Sequence, residues 1–167
     1  MAQTPQELRS ALADVDRMTG PEALRLLTAG TFAAQRTLTA GESTPAAEWT
    51  AATIDLTRAL ADRGLLDPWD AATRTVNLAA MALRHLHDQQ RDSVRLTALL
   101  SDAARLLPPD PAQVATRAAD WRQLPRTEIL ELRRLKNLLT ALTGLGRHTP
   151  EANQLLTAWR NVLPLLP

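Results

Sequence analysis

A chain of 167 residues is long enough for one domain that buries roughly 70% of its unfolded surface. It has no cysteine, which excludes a disulfide framework, a thiolate metal site, an iron–sulfur cluster and a cysteine nucleophile together. Nineteen basic and eighteen acidic residues leave a formal charge of +1, so no global field steers the chain to nucleic acid or to an anionic membrane; such a role needs a local patch.

The N-terminal stretch "MAQTPQELRS" lacks a basic n-region and an apolar h-region, and no apolar run approaches the ~18 to 20 residues of a membrane span. The expectation is a cytoplasmic chain with no membrane partner. Eighteen of the nineteen basic residues are arginine, with Lys136 the only lysine, a bias expected of a GC-rich bacterial genome.

Proline after threonine or aspartate recurs along the chain. In "TPQE" the Thr4 hydroxyl can accept from the Glu7 amide, Pro5 takes the first helical position where no donor is missed, and Glu7 can reach back, which makes a capping box. Asp67 with Pro68 and Asp110 with Pro111 repeat the pattern, and Thr44 and Thr149 supply a cap and a proline. These stops predict eight helices over 5–18, 21–39, 45–63, 68–88, 92–107, 111–122, 126–144 and 150–163, with no strand. Gly20, Gly41, Gly64, Gly144 and Gly146 fall where a left-handed residue would end a helix. The starts are irregularly spaced and the segments after them share no consensus, which argues for a bundle over a helical solenoid.

The 68–88 helix is the expected centre of the core. Trp69, Ala72, Val76, Ala79, Leu83 and Leu86 share one face, opposite a narrow polar stripe with Asp70 before Arg74 and Arg84 before Asp88. Trp49, Trp69, Trp121 and Trp159 lie on separate helices, which suits core packing better than a ligand cage.

Catalytic patterns are sparse. His85 and His87 project to nearly opposite sides of a helix and cannot share a metal, and His87 is read as a histidine at the edge of the core. His148 has no partner the sequence can name. HExxH, a di-iron ExxH, a glycine-rich phosphate loop and GxSxG are all missing. Glu128 and Glu131 share a face near a helix start, where the dipole favours them and an arginine on a neighbouring helix can pair with them. The expectation is a non-enzyme with no cofactor and no metal.

Two features bear on nucleic acid. The stretch "LSDAARLLPPDPAQVATRA" at 100–118 resembles a bacterial helix-turn-helix, with Leu100, Ala103 and Ala104 in a first helix and "DPAQV" opening a second. The resemblance covers about a ninth of the chain and implies that Gln113, Thr116 and Arg117 face the major groove. At the turn, where that family has a glycine of positive φ, this sequence has Pro108 and Pro109, which favours an ordinary helical hairpin. The second feature is a basic outer face on the 126–144 helix, made by Arg126, Arg133, Arg134 and Lys136 and followed by Arg147.

The sequence thus predicts an all-α, compact bundle of about eight antiparallel or orthogonally packed helices. Residues 1–167 form one domain, with a subdivision point near 108–111. The expected role is a non-enzymatic protein-interaction or regulatory module: an adaptor, an assembly subunit or a homodimer, with a protein partner or self-association. The alternative is a nucleic-acid-binding accessory protein using arginines of residues 113–147.

Overall fold

The computed structural model describes residues 4–167; the first three residues of the N-terminal stretch lie outside it. Among the described residues the chain is all-helical, with α1 Pro5–Ala13, α2 Gly20–Ala40, α3 Ser43–Asp62, α4 Pro68–His85, α5 Leu96–Leu106, α6 Pro111–Ala119, α7 Arg126–Gly146 and α8 Pro150–Leu156. Short 3-10 turns at Val15–Arg17, Asp88–Val94, Trp121–Gln123, Thr157–Trp159 and Leu163–Leu165 link them or close the chain. None of these helices is long and apolar enough to cross a membrane.

The capping logic holds at four starts. Thr4 accepts from the Glu7 amide, Asp67 from the Trp69 and Asp70 amides, Asp110 from the Ala112 and Gln113 amides, and Thr149 from the Ala152 amide, each with proline in the first turn. The fifth differs. Helix α3 begins at Ser43 with Glu42 as its cap, so Thr44 lies inside the helix. A further cap precedes α2: the Glu22 carboxylate accepts from the Thr19 hydroxyl at 2.7 Å and the Thr19 amide at 2.9 Å. Helix α1 accordingly stops at Ala13, short of residue 18, and Gly20 opens α2 in place of closing a helix.

Left-handed glycines occur at Gly41, φ 76°, and Gly64, φ 70°, whereas Gly144 and Gly146 are inside α7. Helix α4 ends at His85, three residues early. Arg91 Nη2 donates to the Leu83 carbonyl at 3.3 Å and so satisfies part of the helix end that a further turn would have covered. The chain then runs through a 3-10 turn to Arg95, φ 53°, and only afterwards enters α5.

The core centres on α3 as well as α4. Helix α3 packs on α1, α2 and α4, while α4 also packs on α5 and α7, and α7 carries α8. Every α3 residue from Trp49 to Ile54 is buried, Thr50 and Thr53 included. Thr57, also buried, bonds its hydroxyl back to the Thr53 carbonyl at 2.6 Å, whereas the Thr50 and Thr53 hydroxyls have no hydrogen-bond partner. Close approach of α1, α2 and α3 depends on Gly30, where a Cβ would stand 2.7 Å from Leu8 Cδ1 and 2.8 Å from Thr53 Oγ1. The expected α4 face is buried from Ala72 to Leu86, with Trp69 half-buried. One connected cluster of buried side chains runs from Leu8 to Leu166 and includes Val114 and Ala118 of α6, beyond the prolines at 108 and 109.

Candidate interaction surface

The groove-facing residues implied by the helix-turn-helix resemblance all lie on α6, and the structure engages them differently. Helix α5 packs on α4, while α6 packs on the C-terminal turn at Leu163–Leu165. Gln113 and Thr116 are exposed on α6, and the Thr116 hydroxyl is spent on the Ala112 carbonyl at 3.1 Å. Arg117 is half-buried between α6 and α7, 3.0 Å from Glu128 and 3.6 Å from Glu131, which is the pairing expected of those two carboxylates.

The basic face of α7 divides in two. Arg134 lies 3.5 Å from the Asp67 carboxylate, and Lys136 Nζ donates to the Leu166 carbonyl at 3.1 Å, pinning the C-terminal segment to α7. Arg126, Arg133 and Arg147 are exposed, with no ion pair or side-chain hydrogen bond among the described residues. They stand seven and fourteen residues apart, close to one line along the helix.

Opposite charges meet elsewhere as structural pairs. Arg58 on α3 donates to Asp102 on α5 at 2.6 Å; that hydrogen bond is the main reason the guanidinium holds its proton still more firmly than usual. Arg95 pairs with Asp55 at 3.4 Å, so the left-handed residue before α5 is tied to α3. An open hollow of about 600 Å³ lies between the start of α5 and the turn at His148; of the cations beside it, Arg95 is held by Asp55 and Arg91 by Asp88 and the Leu83 carbonyl. His85 and His87 are both exposed. His87 lies beyond the end of α4 and not at the edge of the core, because the helix that would have carried it inward has already stopped. No group of three or more His, Asp or Glu side chains among the described residues is placed to hold a metal ion.

The feature that sequence reasoning missed is the outer face of α2. Its inner stripe, Ala23, Leu27, Gly30, Ala34 and Leu38, is buried. The opposite side nevertheless carries Leu24, 52% exposed, and Phe32, the sole phenylalanine, 65% exposed. Thr28 stands between them with its hydroxyl on the Leu24 carbonyl at 2.8 Å, which uses its donor on the backbone. Leu24, Thr28 and Phe32 therefore form an apolar line four residues apart in step. Beside the line opens a hollow of about 1190 Å³, floored by Ala11, Met18, Leu26 and Ala29 and rimmed by Asp14, Arg17, Glu22 and Arg25. The sequence held a signal for it: Leu24 and Phe32 fall off the stripe that Leu27, Ala34 and Leu38 define.

No family model, no curated protein and no solved structure matches this chain.

Proposed function

We propose that the chain is a non-enzymatic helical interaction module that docks another protein through the outer face of α2. The observation that carries this reading is the convergence of Phe32, Leu24 and an open apolar hollow at one place on the surface. Full burial of a side chain such as Leu or Phe is worth about 1.5–3 kcal/mol each, and much of that gain is left unused while this face meets water. Several of the charged side chains that meet elsewhere are opposite-charge pairs joining helices, such as Arg58–Asp102 and Arg117–Glu128, which supports a scaffold over a reaction centre.

A second reading, a nucleic-acid-binding accessory role, draws on Arg126, Arg133 and Arg147, whose charges are free of ion pairs among the described residues. Of the six cations on which this role would draw, three, Arg117, Arg134 and Lys136, are engaged inside the fold. Three phosphate contacts give a shallow salt dependence and weak binding, so the protein-docking reading is preferred.

The test is affinity recovery from the native cell of whatever binds the tagged chain, with and without nuclease, for the wild type and for Phe32→Asp. The reading expects a protein, either a cellular one or an untagged second copy, recovered in stoichiometric amount, resistant to nuclease and lost with Phe32→Asp. Recovery that depends on nucleic acid, or that survives Phe32→Asp, contradicts it.

A further inference from the structure

We infer that the occupant of this face is a second copy of the chain, with the two α2 helices antiparallel about a two-fold axis at Thr28 and each Phe32 entering the hollow beside the other copy's α2. The inference rests on the reading that the outer face of α2 docks a protein, and it names that protein.

The apolar line on α2 is symmetric about Thr28. In an α-helix a residue four positions on is turned by about 40° and raised by about 6 Å, so Leu24 and Phe32 lie on either side of Thr28 at equal heights. A two-fold axis perpendicular to the helix at Thr28 sets position 28−n of one copy level with position 28+n of the other. Leu24 then lies beside Phe32 of the second copy. Thr28 meets its own counterpart, and with its hydroxyl donated to the Leu24 carbonyl no donor is lost at the axis.

The flanks agree. Arg25, Phe32 and Arg36 project to the same side of α2, the side on which the hollow opens between α2 and the Ala11 and Met18 wall. The axis sets Arg25 level with position 31 of the other copy, where its guanidinium can cover the Phe32 ring. Glu22 comes level with position 34 and within about 3 Å of rise of Arg36. Arg25 and Arg36 are exposed and have no ion pair among the described residues, so both are available. The same patch thus supplies a knob and a hollow, and an acid and a base, in one register, which is what an isologous contact requires.

The antiparallel direction is the one that brings the same flank of both copies together, so that Arg25 can meet Phe32 and Glu22 can meet Arg36 across the seam; in a parallel pair that flank of one copy lies opposite the far flank of the other. A formal charge of +1 leaves little overall repulsion between copies.

The chain's lack of cysteine gives a clean test. Facing helices lie about 8–10 Å apart and each Cα is about 2.3 Å from its axis, so the two Cα atoms at position 28 are about 3.5–5.5 Å apart, which overlaps disulfide reach. Thr28→Cys should form a covalent dimer under mild oxidation at micromolar concentration at least about tenfold faster than Thr39→Cys, an exposed position on the same helix whose counterpart is about 33 Å away in this arrangement. In the Thr28→Cys background, Glu22→Arg and Arg36→Glu should each slow cross-linking, and the two together should restore it. Damage to the Thr19 cap by Glu22→Arg would not be repaired by a change about 21 Å along the helix, so restoration reads the intermolecular pair. Equal rates for Thr28→Cys and Thr39→Cys, or a double variant as slow as the single ones, overturn the homodimer. If the rates are equal while Phe32→Asp still abolishes recovery of a different protein, the second copy is the wrong occupant and the docking face stands; if that recovery is also unaffected, both readings fall.

Discussion

Arg117 Nη2 on α6 lies 3.0 Å from Glu128 Oε2 in the first turn of α7, joining the two helices by the residue that a DNA-reading pattern would aim at a groove. Both side chains are partly exposed, so the pair is worth at most about 1 kcal/mol. Arg117→Ala should lower stability by no more than that in a urea melt and leave any shift of nucleic acid in a mobility assay unchanged. A loss of nucleic-acid binding with stability intact would revive the groove-reading alternative.

The helix caps separate residues that resemble each other in sequence. Thr149 accepts from the Ala152 amide, whereas Thr44, also followed by proline, sits inside α3. Thr149→Ala should cost about 0.5–2 kcal/mol and Thr44→Ala less than about 0.5 kcal/mol. Equal costs in denaturant unfolding would mean that α3 starts at Pro45 after all.

Buried threonines in α3 should respond in opposite directions. Thr50 is fully buried and its hydroxyl has no hydrogen-bond partner, while the Thr57 hydroxyl donates to the Thr53 carbonyl. Replacing an unsatisfied hydroxyl by a methyl group of similar shape removes a desolvation cost, so Thr50→Val should raise stability by about 1 kcal/mol or more, and Thr57→Val should leave it unchanged or lower it. Thermal unfolding of the two variants checks the sign.

At the start of α2, two hydrogen bonds from Thr19, hydroxyl first and amide second, hold the Glu22 carboxyl below its usual pKa; desolvation opposes them and Arg25 adds to them. A carboxylate with a lowered folded-state pKa contributes stability above its unfolded value and loses it as the pH falls through the folded one. The difference in Tm between wild type and Glu22→Gln, measured at low protein concentration, should therefore be present near neutral pH and shrink as the pH drops below the ordinary carboxylate range. A difference that stays constant into acid would show that the cap does not depend on the charge.

What the sequence disclosed is what local chemistry determines. Thr4, Asp67, Asp110 and Thr149 announce helix starts because their side chains reach backbone amides two or three residues on. The end of α4 was hidden because Arg91 meets the Leu83 carbonyl from outside the helix. The central place of α3 was hidden because Thr50, Thr53 and Thr57 count as polar in sequence, yet pack inside as small side chains. The α2 surface was hidden for a related reason. Helix α2 has apolar residues on two sides, and only the packing of α3 on the side of Ala23, Leu27 and Ala34 shows that Leu24 and Phe32 are the ones left in water.

The central claim is that the outer face of α2 holds the chain to a second copy, and sedimentation velocity over a wide concentration range tests it most directly. The wild type should move from a monomer toward a dimer as concentration rises, while Phe32→Asp, with an unchanged helical spectrum and Tm measured in dilute solution, should remain a monomer throughout. A wild type that stays monomeric at every concentration, or a Phe32→Asp variant that associates equally well, would contradict the account.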